Sequence, residues 1–444
     1  MDWQVPVVLG TAALHYLVVT RDRGFFTGDG IFVISQLLLV LGTISIANAA
    51  DPVEAKYINV VMIPFVVYCL TSIVMHLARP ISASAIKVLA GPLRAPEVLL
   101  AIASAGIVVA YFAILGYSAF IVGVQGLFSG QSEDIATLRV ESYSGTRYLA
   151  PGYVNQFKNV ILPALAVVGA VVLFRQKSPF ALPWTLLMGG GALLGLLGTG
   201  QRGAFVLIAL VVIVTLRYAS TGLGFVRRVI PLALVLLTIT LGSTLVLGRS
   251  SNEVQGEEGI GAQIGILLSE LWGRVAEDNQ LSGLAAFRYT ERIAPAWGVD
   301  WAEGILGLSP FHRGSTLAND VFASLYGSDR GTSPPSIWGS VYYNFGAVGL
   351  LALPILLVAF NRFLARCFFS RRDRDILEVV GYAGMFVVLG MWVAGSPDYL
   401  FNTGIVAYVV LIWLGRKRRE RGGEHEVGMP LPFLPRRRGS RSER

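Results

Sequence analysis

Arg202 is the residue whose surroundings best suit a phosphate or diphosphate. It stands in Gly198-Thr199-Gly200-Gln201-Arg202-Gly203, directly ahead of an apolar run of helical length. A helix amino terminus offers free N–H groups and the positive end of its dipole, glycines let an anion approach the backbone, and a guanidinium adds paired hydrogen bonds. An arginine snorkelling to lipid phosphates would occupy the same place, so both explanations stand. Five more arginines, Arg274, Arg288, Arg292, Arg313 and Arg330, fall in the long segment 249–340. Arg274 has Glu270 and Asp278 four residues to either side, and Arg288 and Arg292 bracket Glu291, so ion pairs account for them as well as a ligand does. His312, in Pro310-Phe311-His312-Arg313, is a candidate general base, and Asp320 is the alternative. The segment has no Asp-x-Asp pair and no His or Cys cluster, so neither a metal nor another cofactor is expected.

These residues must be positioned by a membrane protein. Hydrophobic residues form 54% of the 444 and charged residues 14%, and the mean hydropathy is +0.62. A hydrocarbon core about 30 Å thick needs roughly 20 apolar residues of helix. Runs of that kind predict an all-α, polytopic protein with eleven spans, near residues 4–20, 31–49, 58–78, 98–120, 159–174, 179–198, 203–217, 229–248, 341–361, 377–395 and 399–415. The first run has no basic segment ahead of it and no cleavage pattern after it, and reads as a retained helix. Of the 36 Lys and Arg, 25 fall in one set of alternate connections and 11 in the other. The positive-inside preference therefore puts the amino terminus outside, the carboxyl tail in the cytoplasm and 249–340 on the outer face. The expected organisation is helices one to eight in 1–248, a large outer loop in 249–340, helices nine to eleven in 341–415, and a basic disordered tail in 416–444 that is drawn to anionic lipid.

The net charge of +8 is thus a topology signal, and no nucleic-acid partner is expected. Cys69 and Cys367 are placed for neither a disulfide nor a metal. The helix interiors, as bounded above, hold no Asp, Glu, Lys or Arg; Glu378 and Arg217 sit at cytoplasmic ends, and His15 and His76 near such ends read as hydrogen-bonded or interfacial. Ion-coupled carriers usually keep a charge near the bilayer centre, which argues against that class. Within 249–340, Ile260, Ile264, Leu267, Leu268 and Leu271 fall on one helical face, and a short helix capped by Ser315 and closed by Gly327 is expected. The chain shows no internal repeat.

The stretch Gly331-Thr332-Ser333 through Gly339-Ser340-Val341-Tyr342-Tyr343-Asn344-Phe345-Gly346-Ala347-Val348-Gly349 resembles the entry to a late helix in the Wzy-type O-antigen, or oligosaccharide repeat-unit, polymerases. Gly200-Gln201-Arg202-Gly203 opening a helix, and one large outer loop running from Arg274 through Pro310-Phe311-His312-Arg313, resemble the same family. Many members have a Glu six residues before the first of the late glycines; this chain has Ser340 there, so no catalytic role passes to that position. The resemblance implies a bundle like that of the GT-C glycosyltransferases in the bacterial cytoplasmic (inner) membrane, working at its outer face in lipopolysaccharide or other polysaccharide biosynthesis. It implies transfer of a growing glycan from undecaprenyl diphosphate to a new lipid-linked repeat unit, with a chain-length regulator and a flippase as partners. Arg202 would bind the diphosphate, helped by Arg274 and Arg313, with Arg288, Arg292 and Arg330 in reserve, and Tyr342 and Asn344 would contact substrate. An O-antigen ligase, which takes lipid A core as acceptor, remains open. So do a polyprenyl-phosphate-sugar glycosyltransferase using Asp51 or Glu54 and a lipid-linked glycan flippase.

Overall fold

The computed structural model describes residues 3–81, 86–91, 94–115, 151–176, 181–197, 202–219, 272–307, 309, 312, 314–327 and 331–422. The chain is mostly helical. Five of its helices are long and apolar enough to cross a membrane: Gly28–Ile46, Pro52–Ala78, Ala95–Ile114, Tyr153–Val172 and Ile337–Phe369. Shorter apolar helices include Leu182–Leu196, Val206–Ala219 and Ile376–Gly390.

The helices begin where the sequence supplies a cap. Thr27 accepts from the Gly30 amide, Ser336 from the Gly339 amide, and Asp51 from the amides of Val53 and Glu54 with Pro52 in the first turn. Each side-chain oxygen satisfies an amide that lacks an intrahelical partner. The Ile337–Phe369 helix runs 33 residues, about 50 Å at 1.5 Å per residue, well beyond a bilayer core. It bends at Gly346, whose φ of 59° and ψ of −152° are open to glycine and strained for other residues.

The Ile376–Gly390 helix is buried along its whole length. It packs against Gly28–Ile46, Arg202–Ala219 and Ile405–Gly422. The approach to the last is close enough that a methyl group at Gly384 would collide with the Tyr408 ring. The peripheral helices instead turn apolar faces outward: Leu70, Val74 and Leu77, Leu99, Ile102 and Val109, and Leu186, Leu187 and Leu193 are all exposed. Faces of this kind suit contact with lipid.

Charged and polar groups collect at the two ends of the bundle. At the tail end, Lys87–Leu89 pairs in parallel with Asp373–Asp375, and Arg418 meets Asp375 at 3.4 Å. At the loop end, Ser336 bridges to Ala394, and the Asp278–Thr290 helix lies against the Pro52–Ala78 and Ile337–Phe369 helices.

Several expected boundaries change. The short strand pair is an addition to the all-α expectation. The second and third helices begin at Gly28 and Pro52 and so contain Asp29, Glu54 and Lys56. The fifth begins at Pro151 and runs through a π-helical turn, Phe157–Ile161, so Lys158 lies inside it. The helix interiors are therefore not free of charge. Polar residues such as Asn155, Lys158 and Asn159 resemble a connection in sequence, yet here they are buried. Residues 416–422 are helical rather than part of a disordered tail, because Arg416, Arg418 and Arg419 find Tyr382, Asp375 and Glu378. The run 229–248, the stripe from Ile260 to Leu271 and residues 423–444 lie outside the described residues.

Candidate functional site

The loop end is built on the Asp278–Thr290 helix. Phe287 stacks between Tyr57 and Tyr342, with ring centroids 5.0 and 5.9 Å away. Arg288 binds Glu54, with Asp51 at 3.4 Å. Lys56 pairs with Glu291 at 2.7 Å and lies 4.9 Å from the Tyr342 ring centroid. Ser282 bonds to Ser333 at 2.9 Å and to the Pro334 carbonyl at 3.0 Å. These contacts fasten the loop to the bundle, and they occupy Arg288 and Tyr342.

Beyond this helix the chain turns at Trp297, which is 82% exposed and has a φ of 51°, a left-handed conformation that strains a side chain of this size. Two short helices follow, Val299–Leu306 and Leu317–Tyr326. Ser315 does not cap the second of them. Thr316 holds the cap position, and its hydroxyl bonds to the Asp320 carboxylate at 3.0 Å, while Ser315 donates to Asp300. Gly327 closes the helix at a φ of 64°.

Between these helices and Tyr343 lies an open cavity of about 250 Å³, lined by Tyr289, Ile293, Pro295, Val299, Asp300, Glu303, Thr316, Asp320 and Tyr343 among others. Asp300 is buried in its floor. Besides Ser315, Asn344 donates to its second oxygen at 3.1 Å. Asn344 is itself fixed, donating to the Ser340 carbonyl at 2.9 Å and accepting from the Trp301 amide at 3.3 Å. The Trp301 indole donates to the Ser340 hydroxyl at 2.9 Å. Asn344 thus sits beneath the cavity as an orienting group for Asp300. Asp320 stands at the exposed rim, and Glu303 is half-buried.

Among the described residues the cavity has three carboxylates and no lysine or arginine in its lining. Behind it, Ser396 lies against Gly304 and bonds to Asp398 at 2.5 Å. Burial raises the Asp398 carboxyl above its ordinary value, the Ser396 hydrogen bond opposes that shift, and the charge of Asp300 adds to it. Carboxylates that only accept, next to tyrosine rings and hydroxyls, suit a ligand rich in hydroxyl donors with apolar ring faces, the chemistry of a sugar. An exposed carboxylate at the rim is placed to take a proton from such a hydroxyl. Among the described residues no His, Cys, Asp and Glu group is arranged to hold a metal ion.

The expected site residues divide. Asp320 lines the cavity. His312 does not: it is exposed, and its Nδ1 accepts from the Gly314 amide at 3.2 Å. Arg292 is exposed and has no ion pair among the described residues. Arg202 opens the Arg202–Ala219 helix and Arg274 lies in the π-helical turn Gly273–Glu277, but their side chains lie outside the described residues, as do Arg313 and Arg330 altogether. Asp300, Glu303, Tyr289 and Tyr343 were not among the expected residues. The available signal was Gly298-Val299-Asp300-Trp301-Ala302-Glu303, where carboxylates three apart share one helical face.

No family model matches the chain, and comparison with curated proteins and with solved structures finds no similar protein.

Proposed function

We propose that this chain is a membrane glycosyltransferase that polymerises lipid-linked oligosaccharide repeat units at the outer face of the bacterial cytoplasmic membrane. The observation that carries the reading is the carboxylate- and tyrosine-lined cavity at the loop end, whose chemistry fits an acceptor sugar. The reading keeps eleven spans, an outer amino terminus and a cytoplasmic tail, supported by the charge distribution between the ends. In the reaction, an acceptor hydroxyl oxygen attacks the anomeric carbon of the donor glycan as its bond to the carrier diphosphate breaks. The diphosphate leaves with the bonding electrons, and the hydroxyl proton passes to Asp320. Arg202, with Arg274 and Arg313, stabilises the departing charge, while Asn344 and Ser315 hold Asp300 to orient the acceptor.

Purified protein in detergent, given only lipid diphosphate-linked repeat units and a chelator, should yield dimers and longer chains. Detergent removes the two compartments, so a flippase would give no chemical product. This distinction matters because the buried Lys158 supplies the kind of intrabundle charge that a lipid-linked glycan carrier would use. Absence of any product with intact protein would overturn the enzyme reading, and transfer only when lipid A core is added would assign a ligase.

A further inference from the structure

Five Lys and Arg side chains are buried among the described residues: Arg23, Lys158, Arg362, Arg374 and Arg418. Four have an oxygen partner in Asp29, the Arg79 carbonyl, Glu378 and Asp375. Lys158 is the exception. Its residue is wholly enclosed, and its Nζ has no hydrogen-bond partner. Among the described residues the compensation comes from the Tyr111 ring, whose centroid lies 4.4 Å away, and a ring face offsets part of the cost of enclosing an ammonium.

The surroundings are shaped to admit this side chain. Lys158 lies in the π-helical turn Phe157–Ile161, and such turns insert one residue and frequently occur where a helix serves a ligand. A Cβ at Gly195 would come within 2.7 Å of Lys158 Cγ, so the glycine leaves the space that the lysine stem fills. Gly195 belongs to the Ala181–Leu197 helix, whose loop-end terminus precedes Arg202 by a short connection. The helical residues directly ahead of this turn reach toward the candidate site. Gln156 accepts from the Ala407 amide at 3.2 Å, and the Asp398–Asn402 helix, behind the cavity, packs on Pro151–Gln156. Toward lipid, Leu99 and Ile102 on one side and Leu186 and Leu187 on the other are exposed.

We propose that Lys158 is the cation of a binding site for the phosphate end of a lipid-linked diphosphate, entered from the bilayer between the Ala95–Leu115 and Ala181–Leu197 helices. The ammonium supplies three donors to phosphate oxygens, and the anion replaces the missing carboxylate. The proposal rests on the lipid-linked glycan reading above, and it adds to Arg202 a cation within the bundle.

The test is thermal unfolding and native mass spectrometry of the full-length protein in detergent with three probes: undecaprenyl diphosphate, inorganic pyrophosphate and phosphatidylglycerol. Undecaprenyl diphosphate should bind the wild type and raise its Tm. Lys158→Met should weaken that binding at least about tenfold, and Lys158→Arg should retain part of it. The ligand-free Tm of Lys158→Met should equal or exceed wild type, since an unpaired buried charge has been removed; if that variant does not fold, Lys158→Gln takes its place. Lysine-dependent binding of pyrophosphate alone would support the site and identify the free anion as sufficient. Equal binding of undecaprenyl diphosphate by wild type and the folded variant would overturn it, as would a shift by phosphatidylglycerol alone that is the same in both. Lysine-dependent binding without glycan synthesis would leave the site standing and the polymerase reading fallen. Synthesis with binding indifferent to Lys158 would do the reverse.

Discussion

The two ends of the bundle handle charge in opposite ways. At the tail end the buried arginines of the described residues have oxygen partners. Arg374 meets Glu378 at 3.0 Å and lies over Tyr382 and Phe368, and Arg419 reaches the same Glu378 at 3.2 Å. Arg23, Asp29, Tyr68, His76 and Asn361 form a second connected group, with Arg23 to Asp29 at 2.5 Å and Tyr68 to Asp29 at 2.7 Å. At the loop end Asp300, Glu303 and Asp320 face one cavity with no cation in its lining among the described residues, while Arg288 is bound to Glu54 outside it. Buried pairs hold a geometry, because breaking one leaves a charge without compensation. Asp300 and Asp320 also accept from neighbouring side chains, but each carboxylate oxygen has a further lone pair, and the cavity they face is where a ligand donor can reach it. The tail end therefore fixes the bundle, and on the proposed reading the loop end is where substrate binds.

This contrast can be broken by moving activity and stability separately. Asp320→Asn should lower glycan synthesis by about 10²- to 10⁴-fold, the usual contribution of a positioned base, while its Tm stays near wild type because the carboxylate is exposed. A variant with full synthesis would remove Asp320 from the reaction. Glu378→Ala should do the opposite kind of damage, costing roughly 3–5 kcal/mol of stability by leaving Arg374 and Arg419 without their shared carboxylate. Unchanged thermal unfolding in detergent would show that the tail-end network is dispensable.

The smallest effect concerns pH. Burial raises the Asp375 carboxyl to about 6 from 3.8, against the opposing influence of Arg418. The folded protein thus holds that proton more tightly than the unfolded chain. The stability contributed by this group is fully present below pH 3.8, and it is lost as pH rises through about 6. Lowering pH from 7 to 5 should therefore raise the Tm by the Asp375 contribution. Asp375→Asn, which keeps an acceptor for the Leu377 amide, should flatten that part of the profile; an unaltered pH dependence would assign the effect to other groups.

Much of the scaffold is legible in the sequence. Apolar runs of spanning length are local features, and a helix forms where local geometry and hydropathy agree, although the caps Thr27, Asp51 and Ser336 start their helices several residues ahead of the expected positions. The chain itself also marks Asp320 and the loop that carries it. Three things depended on tertiary packing. Arg288 reads in sequence as a neighbour of Glu291 and Tyr342 as a substrate contact, yet partners more than fifty residues away occupy them. Asp300 becomes the cavity floor only because Asn344, forty-four residues on, is buried beneath it. Lys158 reads as part of a polar connection until the helices around Tyr111 and Gly195 close over it. Burial, unlike helical period, is set by neighbours distant in sequence. The order of residues therefore dictated where helices form, and the folded bundle decided which charges are spent and which are left for a ligand.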